Sequence, residues 1–281
     1  MTPTIGVFDS GFGGLTVLGA LMDRLPQAHF AFLGDTARLP YGSKSRRTIA
    51  RYAVESARFL VNEQGAEFLV IACNTASALA LDAIQDAVSV SVLGVIEPGA
   101  QAASAASQTK DVLVIATDAT VQSRAYTAAF RALGLRAIEK ACPLLVPLVE
   151  EGWIDSSSAA GAVTAEVIRI YLAELTAEAA THGFSPDVLV LGCTHYPLLR
   201  PFFEAAVPAG VRIIDSAQAA AEAVVHSINS RIALHGNEFQ AVPPNAQLRC
   251  FASDSVEKFE RLGSRFLGRP VGNVQLVDLG G

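Results

Sequence analysis

The chain of 281 residues contains no apolar run approaching the roughly 20 residues that a helix needs to cross a bilayer. Nothing near its start pairs a positively charged stretch with an apolar segment, so a secretory signal is not expected and the location is read as cytoplasmic. A basic excess is also missing. The formal net charge is −6, which argues against nucleic acid as a partner and against long-range steering of an anionic substrate. An anion would have to be held by local dipoles and hydrogen bonds. There are only four cysteines, Cys73, Cys142, Cys193 and Cys250, with no C-x-x-C pair and no nearby histidine at zinc spacing. Neither a disulfide framework nor a metal site is therefore expected, and each thiol is either a buried filler or a working nucleophile or base. No G-K-[ST] phosphate loop is present. The turn Asp9-Ser10-Gly11-Phe12-Gly13-Gly14 fails the dinucleotide pattern because Thr16 occupies its last glycine position.

What the chain has is a repeated rhythm of short apolar runs and helical stretches, with half of its residues apolar. Strands are expected at Thr4–Phe8, Phe30–Leu33, Phe68–Ala72, Ser91–Val95, Val112–Ala116, Arg136–Ile138, Val188–Gly192, Val211–Ile214 and Leu248–Phe251. Runs of this kind suit strands buried on both faces of a parallel sheet. Ser45–Asn62 and Ser157–Thr181 read as helices. The alternation predicts an α/β fold with its chemistry at the C-terminal ends of the strands. Two similar three-layer α/β domains with parallel sheets are expected, the first from 1–97 plus 209–281 and the second from 98–208. Pro98-Gly99 marks the first crossing, and His235–Gln247, with its Pro243-Pro244 pair, reads as a loop.

The most informative feature is an echo. Leu69-Val70-Ile71-Ala72-Cys73-Asn74-Thr75 and Leu189-Val190-Leu191-Gly192-Cys193-Thr194-His195 each end an apolar run in a cysteine followed by small polar residues. A lone cysteine is as often a small buried hydrophobe as a reactive group; the recurrence favours function. Asn74 or Thr75 is placed to cap the following helix and leave amides facing a carboxylate, and a thiol there has its thiolate favoured. His195 is the obvious polar neighbour of Cys193. Two thiols aimed at one small molecule suit a reaction that takes a proton from one face of a carbon and returns one on the other. Gly34-Asp35-Thr36-Ala37-Arg38-Leu39-Pro40-Tyr41-Gly42 is a dense loop on the edge that carries Asp9 and Cys73, with Arg38 open to reading as a simple ion-pair partner. Thr117-Asp118-Ala119-Thr120 is either a carboxylate site or an ordinary capped turn, and Glu150-Glu151-Gly152 reads as a charged helix end. Cys142 and Cys250 are assigned to the core.

Taken together, these motifs resemble the glutamate racemases of the aspartate/glutamate racemase superfamily. The resemblance runs through Phe8-Asp9-Ser10-Gly11, Gly34-Asp35-Thr36-Ala37-Arg38, Pro40-Tyr41-Gly42, Ala72-Cys73-Asn74-Thr75-Ala76-Ser77, Glu97-Pro98-Gly99-Ala100, Pro147-Leu148-Val149-Glu150 and Gly192-Cys193-Thr194-His195-Tyr196-Pro197. It implies an active site in a cleft between the two α/β domains and no cofactor. It also implies a homodimer and a role in supplying D-glutamate for peptidoglycan. By position, Cys73 and Cys193 are implied as the catalytic acid/base pair, assisted by Asp9, His195 and Glu150. Asp9, Ser10, Tyr41, Gly42, Asn74, Thr75, Thr117, Thr120, Thr194 and His195 are implied as substrate contacts. Members of the family often carry glycines where this chain has Ala116-Thr117-Asp118-Ala119-Thr120. The competing readings are an aspartate racemase or another amino-acid racemase of the superfamily and, in a different class, a non-catalytic amino-acid-binding protein. The paired thiols weigh against the binder, which has no use for them.

Overall fold

The computed structural model describes residues 3–235 and 247–280. The chain divides into two compact units, Met1–Val95 with Ala217–Gly281, and Ile96–Ser216. The loop expected over His235–Gln247 lies, apart from its two ends, outside the described residues.

The first unit is built on the strands β1 (Thr4–Asp9), β2 (His29–Gly34), β3 (Phe68–Ile71), β4 (Ser91–Gly94), β9 (Leu248–Ala252) and β10 (Val274–Leu276). They form one sheet in the order β10-β9-β2-β1-β3-β4, and every pairing is parallel. The central strand Phe68–Ile71 is buried end to end, whereas the edge strands Ser91–Gly94 and Val274–Leu276 are each buried at one residue only. Side chains at period two serve both faces. Phe8, Leu33 and Ile71 point into a cluster with residues of the helices α2 (Arg46–Arg58) and α3 (Asn74–Ala87). On the other face Phe32 meets Phe259 of α11 (Val256–Leu267), with ring centroids 5.9 Å apart. The helix α1 (Leu15–Arg24) packs beside α11. Helix α2 begins at Ser45, whose side chain accepts from the Thr48 amide, and it runs on into a π-helical turn, Phe59–Glu63.

The second unit holds β5 (Asp111–Ala116), β6 (Arg136–Ala141), β7 (Val188–Gly192) and β8 (Arg212–Asp215) in the order β6-β5-β7-β8, again all parallel. Its helices include α4 (Ile96–Ala106), α5 (Asp118–Ser123), α6 (Ala125–Ala132), α7 (Leu145–Glu150), α8 (Ala159–Thr181) and α9 (Arg200–Ala206), and α10 (Ser216–His235) carries the chain onward. All nine expected strands are present within a few residues of their expected limits. The tenth, Val274–Leu276, carries no apolar run: Val274 is buried while Leu276 is 66% exposed.

The first crossing falls between Val95 and Ile96, close to the expected limit at 97/98, and Pro98 and Gly99 lie in the first turn of α4, where a missing N–H costs no helical hydrogen bond. The return to the first unit falls at Ala217 rather than at 209, because β8 pairs with β7 and completes the second sheet. Among the described residues no helix is long and apolar enough to cross a membrane.

One close approach fixes the upper edge of the first sheet. A Cβ on Gly34 would stand 2.3 Å from the Gly11 carbonyl oxygen and 2.6 Å from the Phe259 ring. Gly34→Ala must move backbone, and overpacking of this kind costs about 1–3 kcal/mol. We expect a lower urea midpoint with an unchanged slope; an unaltered midpoint would contradict the close approach.

Candidate active site

Parallel sheets bring all C-terminal strand ends to one edge, and ligands favour the point where the strand order reverses direction. In the first unit the chain steps from β1 to β2 on one side and then to β3 on the other, so the switch lies between β1 and β3. The register Phe8↔Ile71 puts the turn after β1 beside the turn after β3. Cys73 sits there as the N-cap of α3. Its Sγ accepts from the Ala76 amide at 3.4 Å and lies 3.3 Å from Ser10 Oγ. The sequence pointed to Asn74 or Thr75 as the cap. The sulfur takes that role, and Asn74 and Thr75 open the helix as buried residues. Asp9 is buried and its Oδ2 accepts from the Gly11 amide at 2.9 Å.

The loop after β2 adds a charged network. Asp35, fully buried, accepts from Tyr41 Oη at 2.6 Å, from Ser253 Oγ at 2.8 Å and from Arg38 Nε at 2.8 Å. Arg38 also pairs with Glu55 and lies over the Tyr52 ring, 4.3 Å from its centroid. Arg38 is thus the ion-pair partner that the plainer reading allowed. Tyr41 is 1% exposed, with its phenol donating to Asp35. Burial, then the Asp35 charge, raises the Tyr41 phenol far above its ordinary range. Ser253 and Glu55 escaped the sequence reading. The available signal for Ser253 was its place just beyond the expected strand Leu248–Phe251.

The second unit repeats the plan. From β5 the chain goes to β6 on one side and then to β7 on the other, and Ala116↔Gly192 sets Thr117 beside Cys193. Gly192 allows this close packing: a Cβ there would lie 2.9 Å from the Ile115 carbonyl oxygen and 3.0 Å from the Tyr126 ring. Cys193 Sγ lies 4.0 Å from His195 Nδ1, at the outer limit of a sulfur hydrogen bond. His195 Nε2 in turn lies 3.2 Å from Glu150 Oε1, at the end of α7. Cys193, Thr194 and His195 are all buried. Thr117 caps α5, accepting from the Thr120 amide at 3.4 Å, and the two hydroxyls are 2.9 Å apart. The structure therefore groups the expected residues in two sets, Asp9, Ser10, Cys73, Asn74 and Thr75 in one unit, and Thr117, Thr120, Glu150, Cys193, Thr194 and His195 in the other. Cys142 and Cys250 are buried, as the sequence indicated, and the Cys142 backbone borders the second set, its amide donating to the Ala116 carbonyl at 2.9 Å and its carbonyl accepting from Tyr196 Oη at 3.1 Å. Among the described residues no group of three or more His, Cys, Asp or Glu is arranged to hold a metal ion.

Burial dominates the thiol energetics. It pushes the Cys73 thiol up to about 11, with the Asp9 charge adding to the effect and hydrogen bonds from Ser10 and Ala76 opposing it. Burial also pushes Cys142 up to about 12 and Cys250 up to about 12. An unfolded thiol ionises near about 8.5. Above that pH the unfolded chain sheds protons that the folded chain keeps, so the unfolded state binds fewer protons and stability falls with rising pH. The urea midpoint should hold up to about pH 8 and decline steadily to about pH 10; a flat profile over that interval would contradict the raised thiols.

The profile of the Asp/Glu/Hydantoin racemase family matches residues 17–224. A glutamate racemase from Koribacter versatilis (strain Ellin345) is 51% identical, the alignment covering 99% of this chain and 98% of that protein. The crystal structure of a glutamate racemase isoform, RacE1, from Bacillus anthracis superposes with a TM-score of 0.86 at 36% identity, over 99% of this chain and 98% of that one. A glutamate racemase from Francisella tularensis, solved in complex with D-glutamate, superposes with a TM-score of 0.84 at 32% identity, again over 99% and 98%.

Proposed function

This chain belongs to the Asp/Glu/hydantoin racemase family, and on that premise we propose that it interconverts L-glutamate and D-glutamate by proton transfer through two thiols. The observation that carries this reading is the placement of Cys73 and Cys193 at the switch points of their sheets, each with its own polar partner. The similarity to glutamate racemases over nearly the whole chain supports glutamate as the substrate.

Racemisation removes the Cα proton from one face and returns a proton to the other. In this reading Cys193 takes the proton of L-glutamate and Cys73 donates one; with D-glutamate the roles exchange. His195, oriented by Glu150, accepts and returns a proton at Cys193, while Asp9 and the α3 amides act at Cys73. The charge that develops on the substrate carboxylate is met by hydroxyls and helix-end amides, with Ser10, Asn74, Thr75, Thr117, Thr120 and Thr194 as the contacts. Tyr41-Gly42 contributes backbone. No resident cofactor takes part. The cell receives D-glutamate for peptidoglycan and hence for its shape, from a homodimer in the cytoplasm.

Turnover of L-glutamate in deuterated water should place deuterium at Cα in step with loss of optical rotation. Product that keeps its original hydrogen would rule out exchange through two bases. Cys73→Ser and Cys193→Ser should each lower kcat by about 100-fold or more, and near-normal turnover in either variant would remove that thiol from the mechanism. Polarimetry with L-glutamate and L-aspartate side by side should show rotation lost with glutamate alone. Equal rates would make the chain a broader amino-acid racemase, and no change with either would leave a binding protein.

A further inference from the structure

Resting on the reading of Cys73 as a base, we propose that Ser10 serves the sulfur itself, holding the Cys73 thiolate by hydrogen bond rather than acting only as a contact for substrate. Ser10 Oγ lies 3.3 Å from Sγ, and among the described residues the hydroxyl has no other partner. A hydroxyl is both donor and acceptor. It donates to the thiolate and accepts from the thiol, so the same contact survives both halves of a proton-transfer cycle without a titrating group of its own.

The need for such a partner follows from the surroundings. Cys73 is 5% exposed and packs in a cluster with Phe8, Tyr41 and Ala76. The groups facing it with charge or a titratable proton are Asp9, from the end of β1, and Tyr41, from the loop after β2. Neither favours a thiolate: the carboxylate repels it, and the phenol proton is committed to Asp35. Burial and Asp9 both raise the thiol, while the Ser10 side chain, the Ala76 amide and the Ser10 amide lower it. Of these three only the Ser10 hydroxyl can be removed by substitution without touching the backbone. The other thiol is served differently, by an imidazole paired to a carboxylate. The two thiols therefore have unlike partners, a neutral hydroxyl with helix amides on one side and an imidazole paired to a carboxylate on the other.

The test is a pH titration of the intact protein labelled with carbon-13 at cysteine Cβ, which reads each thiol without a reagent or turnover. Signals are assigned from Cys73→Ser and Cys193→Ser. In Ser10→Ala the Cys73 midpoint should rise by about one pH unit, a tenfold smaller thiolate fraction at a given pH below it. Ser10→Gly should behave alike, Ser10→Thr should restore the original midpoint, and the Cys193 midpoint should stay in place. An unmoved Cys73 midpoint in Ser10→Ala and Ser10→Gly would overturn the proposal. A rise that Ser10→Thr fails to reverse would overturn it as well, because packing rather than the hydroxyl would then be responsible. A chain that shows the shift yet does not racemise glutamate would keep the Ser10 assignment and lose the function proposed above.

Discussion

Parallel pairing of β3 to β1 and of β7 to β5 is the constraint on which the rest depends. The registers Phe8↔Ile71 and Ala116↔Gly192 decide what stands beside each cysteine. In a parallel sheet a slip of one residue turns every side chain to the other face. A slip in β3 would carry Cys73 away from Ser10, and one in β7 would carry Cys193 away from Thr117. The registers are well specified because the four strands are buried along their length with one exception, Thr4, so that any slip exposes apolar surface or buries polar groups.

On this frame the two units repeat one arrangement with different chemistry. Both place a cysteine after their third strand, at the reversal of strand order. In the first unit the sulfur caps a helix and meets a hydroxyl. In the second it meets an imidazole that a glutamate orients. Burial of a thiol penalises its charged form, and in a poorly polarisable interior each donor aimed at the sulfur counts for more than it would in water. The partners of a buried sulfur therefore weigh heavily in the balance between its thiol and thiolate forms.

The loop between β2 and α2 shows how such a turn is held. Asp35 gathers Arg38, Tyr41 and Ser253, and Ser253 arrives from the far C-terminal part of the same unit. Gly34 lets this loop pack on the Gly11 carbonyl. The position of Gly42 thus depends on residues more than two hundred positions apart in the chain, joined by buried, charge-assisted hydrogen bonds.

The order of elements, the parallel character of the sheets and the paired cysteines were legible in the amino-acid sequence, because short apolar runs buried on both faces and strand-end polar motifs are local signals. Edge strand Val274–Leu276 was not, since a single buried residue leaves no pattern. Nor was the end of the second unit, because the pairing of Arg212–Asp215 with β7 rather than with the first sheet is a choice between partners distant in the chain. The identity of the α3 cap, the commitment of the Tyr41 phenol to Asp35 and the contact of Ser10 with Cys73 were decided by tertiary structure alone. Each depends on which atoms lie within about three and a half ångströms of one another, and strand register and helix packing, not neighbouring residue types, set those distances.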